Sequence, residues 1–129
     1  MSRSLSIAAV AAASAVFVFV ACSSGASGQA VVTIGLNPSA IDNLGQASVV
    51  TVEGTTEAGA AGSGTVKITS AAGSLKDGTM VTLDSKGQGT AMFTCAVATD
   101  PKCVGSVKIS VEWTRAGASS IANTRSIQV

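Results

Sequence analysis

The sequence predicts an all-β domain built as an antiparallel sandwich. Apolar and polar residues alternate along several short segments, which is the pattern of strands that bury one face. Gly, Asn, Asp and Pro separate these segments at nearly regular intervals, as turns between strands do. Only 3% of the residues are aromatic, and the abundance of Val, Thr, Ser, Ala and Gly favours strands and turns over helices.

The segment from Thr79 to Cys95 is predicted to be a hairpin around which the domain is organised. In its first arm Val81 and Leu83 share one face, as period-two alternation requires. Between the arms lies Asp84–Gly87, where Asp can bond its own backbone and Gly accepts a positive φ. The apolar face of the second arm consists of Ala91, Phe93 and Cys95.

Five further strands bring the predicted number to seven. They cover residues 31–36, 47–52, 66–69, 107–113 and 118–129. Trp113 lies on the apolar face of the most regular of them, so we expect it to be buried. In the last strand Asn123 and Arg125 share a face with Ile121 and Ile127, which indicates a bulge or an exposed edge.

Seven short strands in about 100 residues predict an immunoglobulin-like β-sandwich over residues 30–129. A small β-barrel is the alternative. Two loops, 53–64 and 95–103, are candidate contact regions, because rigid sandwiches commonly present their functional residues on loops. Both loops can equally be simple connections between strands.

The amino terminus predicts export. Residues 1–21 combine Arg3, an apolar run over residues 7–21 and small residues at the end, which is the layout of a secretory signal peptide. The apolar run has 15 residues, fewer than the roughly 20 that a transmembrane helix needs. The alternative is a short membrane anchor that is never cleaved. Residues 23–29 are small and polar and predict a flexible tether.

The sequence Phe19-Val20-Ala21-Cys22 resembles the lipobox of bacterial lipoproteins, with Phe19 where Leu is usual. The resemblance implies cleavage before Cys22 and attachment of fatty acyl chains such as palmitate to it. Residues 22–29 then become a lipidated tether, and the membrane becomes a partner of the protein. Ser23 after the Cys implies the outer membrane in bacteria that have two membranes. Otherwise Cys22 is a leftover thiol near an ordinary cleavage site.

Three short motifs are similar to those of bacterial immunoglobulin-like domains of the invasin and intimin kind. The motifs lie in order at Gly64–Ile68, Gly73–Leu75 and Thr82–Ala91. The resemblance implies the same sandwich fold and a role as a stalk or adhesive module. Such domains usually occur in tandem, whereas this chain carries one copy.

Cys95 and Cys103 are predicted to form a disulfide, the usual state of paired cysteines in an exported domain. The alternatives are a redox-active or metal-binding pair. Redox pairs usually have closer spacing, and common metal sites need more ligands. We therefore expect no metal and no cofactor.

The chain lacks the residues of most catalytic sites. It contains no His, which excludes His-assisted nucleophilic catalysis, and its seven acidic residues are scattered over turns and outward strand faces. Without Arg3 the chain has seven basic and seven acidic residues, so nucleic acid is not an expected partner.

We therefore expect that the protein is not an enzyme. We expect a lipid-anchored module of the bacterial cell envelope, with a structural or adhesive role and a protein or surface-polysaccharide partner. The alternative is a secreted inhibitor or ligand-binding domain that uses its disulfide loop.

Overall fold

The computed structural model describes residues 28–129, and within them the chain forms eight β-strands. Their apolar and polar residues alternate, so that one face of most strands is buried. In chain order the strands are β1 (Val31–Asn37), β2 (Leu44–Thr55), β3 (Thr65–Ser70), β4 (Ser74–Leu75), β5 (Met80–Thr82), β6 (Gln88–Ala96), β7 (Ser106–Thr114) and β8 (Ile121–Gln128).

The strands form two four-stranded sheets, in the orders β1-β2-β6-β4 and β5-β3-β7-β8. Neighbouring strands are antiparallel throughout both sheets. The all-β antiparallel sandwich is therefore confirmed, and the barrel alternative is wrong because the strands divide between two sheets. The described residues hold eight strands instead of seven, because Ser74–Leu75 adds a two-residue edge strand.

The core lies between the two sheets. Trp113 from β7 and Phe93 from β6 are its largest side chains, and both are fully buried. The buried face of β7 also carries Val107, Ile109 and Val111, which confirms the predicted alternation and the burial of Trp113.

The predicted hairpin between Thr79 and Cys95 is wrong in its pairing. Its first arm, β5, pairs with β3 in one sheet, whereas its second arm, β6, pairs with β2 in the other. The turn itself is present, since Gly87 N donates to Asp84 O at 2.9 Å. Alternation shows that each arm has an apolar face but not which strand lies beside it. The two arms face the same core from opposite sides.

The loop predicted over residues 53–64 is shorter, because β2 continues to Thr55 and pairs there with Val31 of β1. Gly54 permits this continuation at a crowded place in the core. A Cβ atom there would lie 3.0 Å from both Leu83 and Trp113. The connecting loop therefore covers residues 56–64.

The last strand, β8, is an edge strand without a bulge. Its register with β7 is unbroken from Trp113↔Ile121 to Ser106↔Gln128. Near its end, Gln128 O accepts a hydrogen bond from Ile41 N at 2.8 Å, and Ala40 forms a parallel bridge with Gln128. The chain thus leaves β1 of one sheet and contacts β8 of the other.

Six of the seven connections between the described strands lie at two opposite ends of the sandwich, whereas the connection 76–79 crosses from β4 of one sheet to β5 of the other. One end, which we call the ring end, carries the connections 38–43, 71–73 and 97–105. The opposite end carries the connections 56–64, 83–87 and 115–120, together with residues 28–30, where β1 begins. These two ends are the surfaces on which loop function can lie.

Candidate functional site

The ring end is organised by a disulfide between Cys95 and Cys103. Their sulfur atoms are 2.02 Å apart, which confirms the predicted pair. Cys95 is in β6, and both cysteines are fully buried. We call residues 95–103 the disulfide ring. Closing a ring of this length stabilises a fold by about 2.5 kcal/mol in the chain-entropy account.

The backbone inside the disulfide ring is folded by its own hydrogen bonds. The amides of Thr99 and Asp100 both donate to Ala96 O, at 3.0 and 2.9 Å. Cys103 N donates to Asp100 O at 3.0 Å, and the exposed tip between them carries Pro101. The ring is therefore a structured loop with a fixed, exposed tip.

Asp100 joins the disulfide ring to the neighbouring turn at residues 71–73. Its Oδ2 accepts a hydrogen bond from Gly73 N at 2.9 Å, and its Oδ1 accepts one from Lys102 N at 3.0 Å. The bond from Gly73, and then that from Lys102, lowers the pKa of the Asp100 carboxyl below its ordinary value of 3.8. The carboxylate is therefore ionised at neutral pH.

Gly73 is required for this close approach. Its φ is +74°, in the region that residues with a Cβ atom rarely adopt. A Cβ atom at this position would lie 2.8 Å from the sulfur of Cys95 and would overlap the carbonyl oxygen of Thr94. Only glycine lets the turn reach the disulfide and donate to Asp100.

Two further contacts hold the disulfide ring and the segment that follows it against the sandwich. Val97 N donates to Asn43 O at 2.9 Å, which attaches the ring to the connection between β1 and β2. Gly105 and Val129 exchange two backbone hydrogen bonds of 3.0 and 2.8 Å. The loops of the ring end thus form one hydrogen-bonded surface.

A surface cavity of 430 Å³ lies beside the disulfide ring, and we call it the ring cavity. Hydroxyl groups, small side chains and one carboxylate line it. Ser74 Oγ and Thr94 Oγ1 are 3.3 Å apart, so these two hydroxyls share a hydrogen bond. The lining residues are Gly73, Ser74, Thr94, Ala96, Thr99 and Asp100.

The other candidate contact region, loop 56–64, packs onto the core. Trp113 Nε1 donates to Ser63 O at 2.9 Å, and Gly62 lies against the indole ring. Arg115 forms an ion pair with Glu57 at 2.8 Å, and its guanidinium carbon is 5.3 Å from the indole centroid. This loop therefore covers Trp113, and its main contacts are structural.

Several predicted features lie outside the described residues, namely the signal peptide over residues 1–21, Cys22 and most of the tether 22–29. Between residues 28 and 129 the chain forms no helix of the length and hydropathy that crossing a bilayer requires. In the same range no three His, Cys, Asp or Glu side chains come together as metal ligands do.

No protein-family model, curated protein or solved structure matches the chain. Function is therefore inferred from the chemistry of the ring end. Sequence reasoning identified the two cysteines and noted the Gly73–Leu75 motif, but it did not connect that motif with Asp100 or with the residues of β6 that complete the ring cavity. No local pattern brings these groups together, because the contact between Gly73 and Asp100 spans 27 positions of the chain.

Proposed function

We propose that this chain is an exported, non-catalytic lipoprotein of the bacterial cell envelope that binds a partner through its ring end. The observation that carries the binding role is the rigid disulfide ring. A ring pinned by a disulfide, by Asp100 and by Val97 N loses little conformational entropy on binding, which favours affinity. The partner is a protein or a surface polysaccharide.

The strand order supports an immunoglobulin-like domain of the kind found in bacterial adhesins. In immunoglobulin domains strands A, B, E and D form one sheet and C, F and G the other. Here β1-β2-β6-β4 and β3-β7-β8 follow the same orders when the strands are lettered along the chain, and β5 is an additional strand beside β3. Domains of this kind serve as stalks or adhesive modules.

The lipid anchor is supported by the lipobox-like sequence that ends at Cys22. Two or three acyl chains on one Cys give stable membrane attachment, whereas a single chain is marginal. Residues 22–29 span at most about 28 Å when fully extended. Because β1 begins at the end opposite the disulfide ring, such an anchor directs the ring end away from the membrane.

Intact mass spectrometry of the protein purified from its own membranes tests the anchor. We expect a chain that begins at Cys22, carries acyl groups and has lost two hydrogens to the Cys95–Cys103 disulfide. The Cys22→Ser variant is expected to leave the membrane fraction. An unlipidated chain that begins elsewhere contradicts the lipoprotein assignment and favours the secreted inhibitor.

The inhibitor is the second candidate, because a rigid exposed loop is what many inhibitors present to their target.

Photo-crosslinking in intact cells from a probe at Pro101 tests whether the ring tip contacts a partner. Replacing Lys102 with Ser is expected to weaken capture while leaving Asp100 and the disulfide in place. Lys86→Ser, in a turn at the opposite end, is the matched control. Equal capture by the two variants contradicts binding through the ring.

A further inference from the structure

We propose that the ring cavity binds the guanidinium group of an arginine side chain presented by a protein partner. This inference rests on the proposed binding role of the ring end and names the chemistry of the partner. It is carried by the position of Asp100, whose carboxylate lines a cavity that contains no basic side chain.

No Lys or Arg side chain of the described chain forms an ion pair with the carboxylate of Asp100, although Lys102 lies close enough for its charge to lower the pKa of that carboxyl. Between residues 28 and 129 the single ion pair joins Glu57 to Arg115, which lie at the opposite end of the sandwich. Asp100 is bonded instead to two uncharged backbone amides, those of Gly73 and Lys102. The residues that line the ring cavity therefore include one negative charge and no positive charge, which favours a cation over an anion.

The geometry of the carboxylate suits a guanidinium better than an ammonium. A carboxylate has about four acceptor positions on its two oxygens, and the two amide bonds occupy one on each. Both oxygens of Asp100 retain acceptor capacity and are held in a fixed orientation. Arginine recognises such a pair through two parallel N–H···O bonds, whereas lysine binds as a point charge.

The remaining lining groups complement the other N–H groups of a guanidinium. The hydroxyl of Thr99 donates to Ala96 O at 3.1 Å, so its lone pairs are free to accept. The hydroxyls of Ser74 and Thr94 also line the cavity and supply further acceptors. A volume of 430 Å³ lies near the lower end of the range for binding pockets and suits a single side chain.

A metal ion does not fit this set of ligands. Calcium needs about six to eight oxygen ligands, usually from several carboxylates. Within residues 28–129 Asp100 has no second and third acidic neighbour that could complete such a site. An organic cation, which needs one carboxylate and a few hydroxyls, is the better match.

NMR titration of the full-length protein, with its disulfide intact and in detergent, tests the proposal. The probe is N-acetyl-arginine methylamide, and the neutral control is the citrulline analogue, which has the same shape without the charge. We expect the arginine probe to shift the amide signals of Gly73 and Lys102. Glucose is added separately as a probe for a polysaccharide partner. Equal shifts from the citrulline analogue, or shifts from glucose and none from the arginine probe, overturn the proposal.

Three variants sharpen the test. Asp100→Asn is expected to weaken binding of the arginine probe about tenfold, because a charge-assisted hydrogen bond is lost. Ala96→Leu is expected to fill the ring cavity and reduce binding without touching the charge. Asp84→Asn is the matched control, since Asp84 also caps a turn through two backbone amides but lies at the opposite end. Equal losses in Asp100→Asn and Asp84→Asn overturn the proposal.

This outcome is separable from that of the proposed function. The titration requires no lipid on Cys22, so a failed anchor leaves the guanidinium site intact. Conversely, if the ring cavity does not bind the arginine probe, the guanidinium site is wrong. The proposed function then still stands if a partner is captured through Pro101 and Lys102 at the ring tip.

Discussion

Arg125 donates a hydrogen bond from Nη1 to the backbone oxygen of Ile34 at 2.7 Å, and so joins β8 of one sheet to β1 of the other. Two residues earlier, Asn123 Nδ2 makes the same kind of bond to Val32 O, also at 2.7 Å. β1 is an edge strand and has no strand beside it on this side. The polar residues that interrupt the apolar pattern of β8 thus bind the edge of the neighbouring sheet.

The Arg125→Met variant tests this connection between the sheets. It keeps most of the aliphatic stem but removes the hydrogen bond to Ile34, so we expect the free energy of unfolding to fall by about 1 kcal/mol. Urea denaturation measures the change. Ser126→Ala, at an exposed neighbouring position on β8, is the control and is expected to have almost no effect. Equal stabilities of the two variants would show that the bond contributes nothing.

Ser48 is the one fully buried polar side chain of the described core. Its hydroxyl donates to Pro38 O at 2.7 Å, where the chain leaves β1. Replacing Ser48 with Ala leaves that carbonyl without its partner, and we expect a loss of about 1–3 kcal/mol in the free energy of unfolding. The control is Ser106→Ala, because Ser106 is an exposed serine of β7. Thermal unfolding of both variants measures the difference in their stability. A loss no larger than that of the control would mean that water satisfies Pro38 O.

Gly62 lies directly against the indole ring of Trp113. A Cβ atom at this position would be 2.6 Å from Trp113 Cη2. We expect Gly62→Ala to displace the indole and to lower the free energy of unfolding by about 1–3 kcal/mol, as overpacking does. Because Trp113 is the only Trp, a change in its fluorescence spectrum reports the displacement.

The control for Gly62→Ala is Gly35→Ala, where the nearest atom to an added Cβ lies at 3.7 Å, an ordinary contact. We expect this variant to keep the wild-type fluorescence. If both variants leave the spectrum and the stability unchanged, loop 56–64 is free to move away from Trp113.

Asp100 makes stability depend on pH in the acidic range. The bond from Gly73 lowers its pKa in the folded state below the ordinary value of 3.8. A carboxyl with a lowered folded-state pKa stabilises the fold fully above its unfolded pKa, and this contribution is lost as the pH falls through the folded pKa. We therefore expect the urea concentration at the midpoint of unfolding to decrease when the pH of the wild-type protein is lowered below about 4. The decrease is expected to be smaller in Asp100→Asn.

A parallel titration separates Asp100 from other acidic groups. Asp84 also has a lowered pKa, caused first by the amide of Gln88 and then by that of Lys86. The Asp84→Asn variant should therefore remove a different part of the acid sensitivity, and the double variant should be the least sensitive. Identical pH profiles for wild type and Asp100→Asn would show that the bond to Gly73 does not persist in solution.

Local sequence patterns sufficed to locate the strands that bury one continuous face. The alternation in β7 located Val107 to Trp113 correctly, because side-chain direction depends only on the backbone period of two. The same pattern misplaced β5 beside β6, since alternation carries no information about the neighbouring strand. It also missed β4, because two residues are too few to show a period.

The candidate site was predictable only in part. The cysteine count and the exported context indicated the Cys95–Cys103 disulfide. The contact between Asp100 and Gly73 joins residues 27 positions apart, and no local pattern marks either as the partner of the other. The lipid anchor at Cys22 stays a prediction that mass spectrometry can test.

The sequence alone indicated that this chain forms an all-β domain and buries Trp113 and Phe93, because alternation and turn residues are local properties, and its cysteine count indicated the pairing of the last two cysteines. Only the tertiary structure decided which sheet each strand joins and which groups surround Asp100. Those relationships depend on how distant segments pack around one core. Burial of apolar surface stabilises every strand order that covers the core, and the connections between strands select one of these orders.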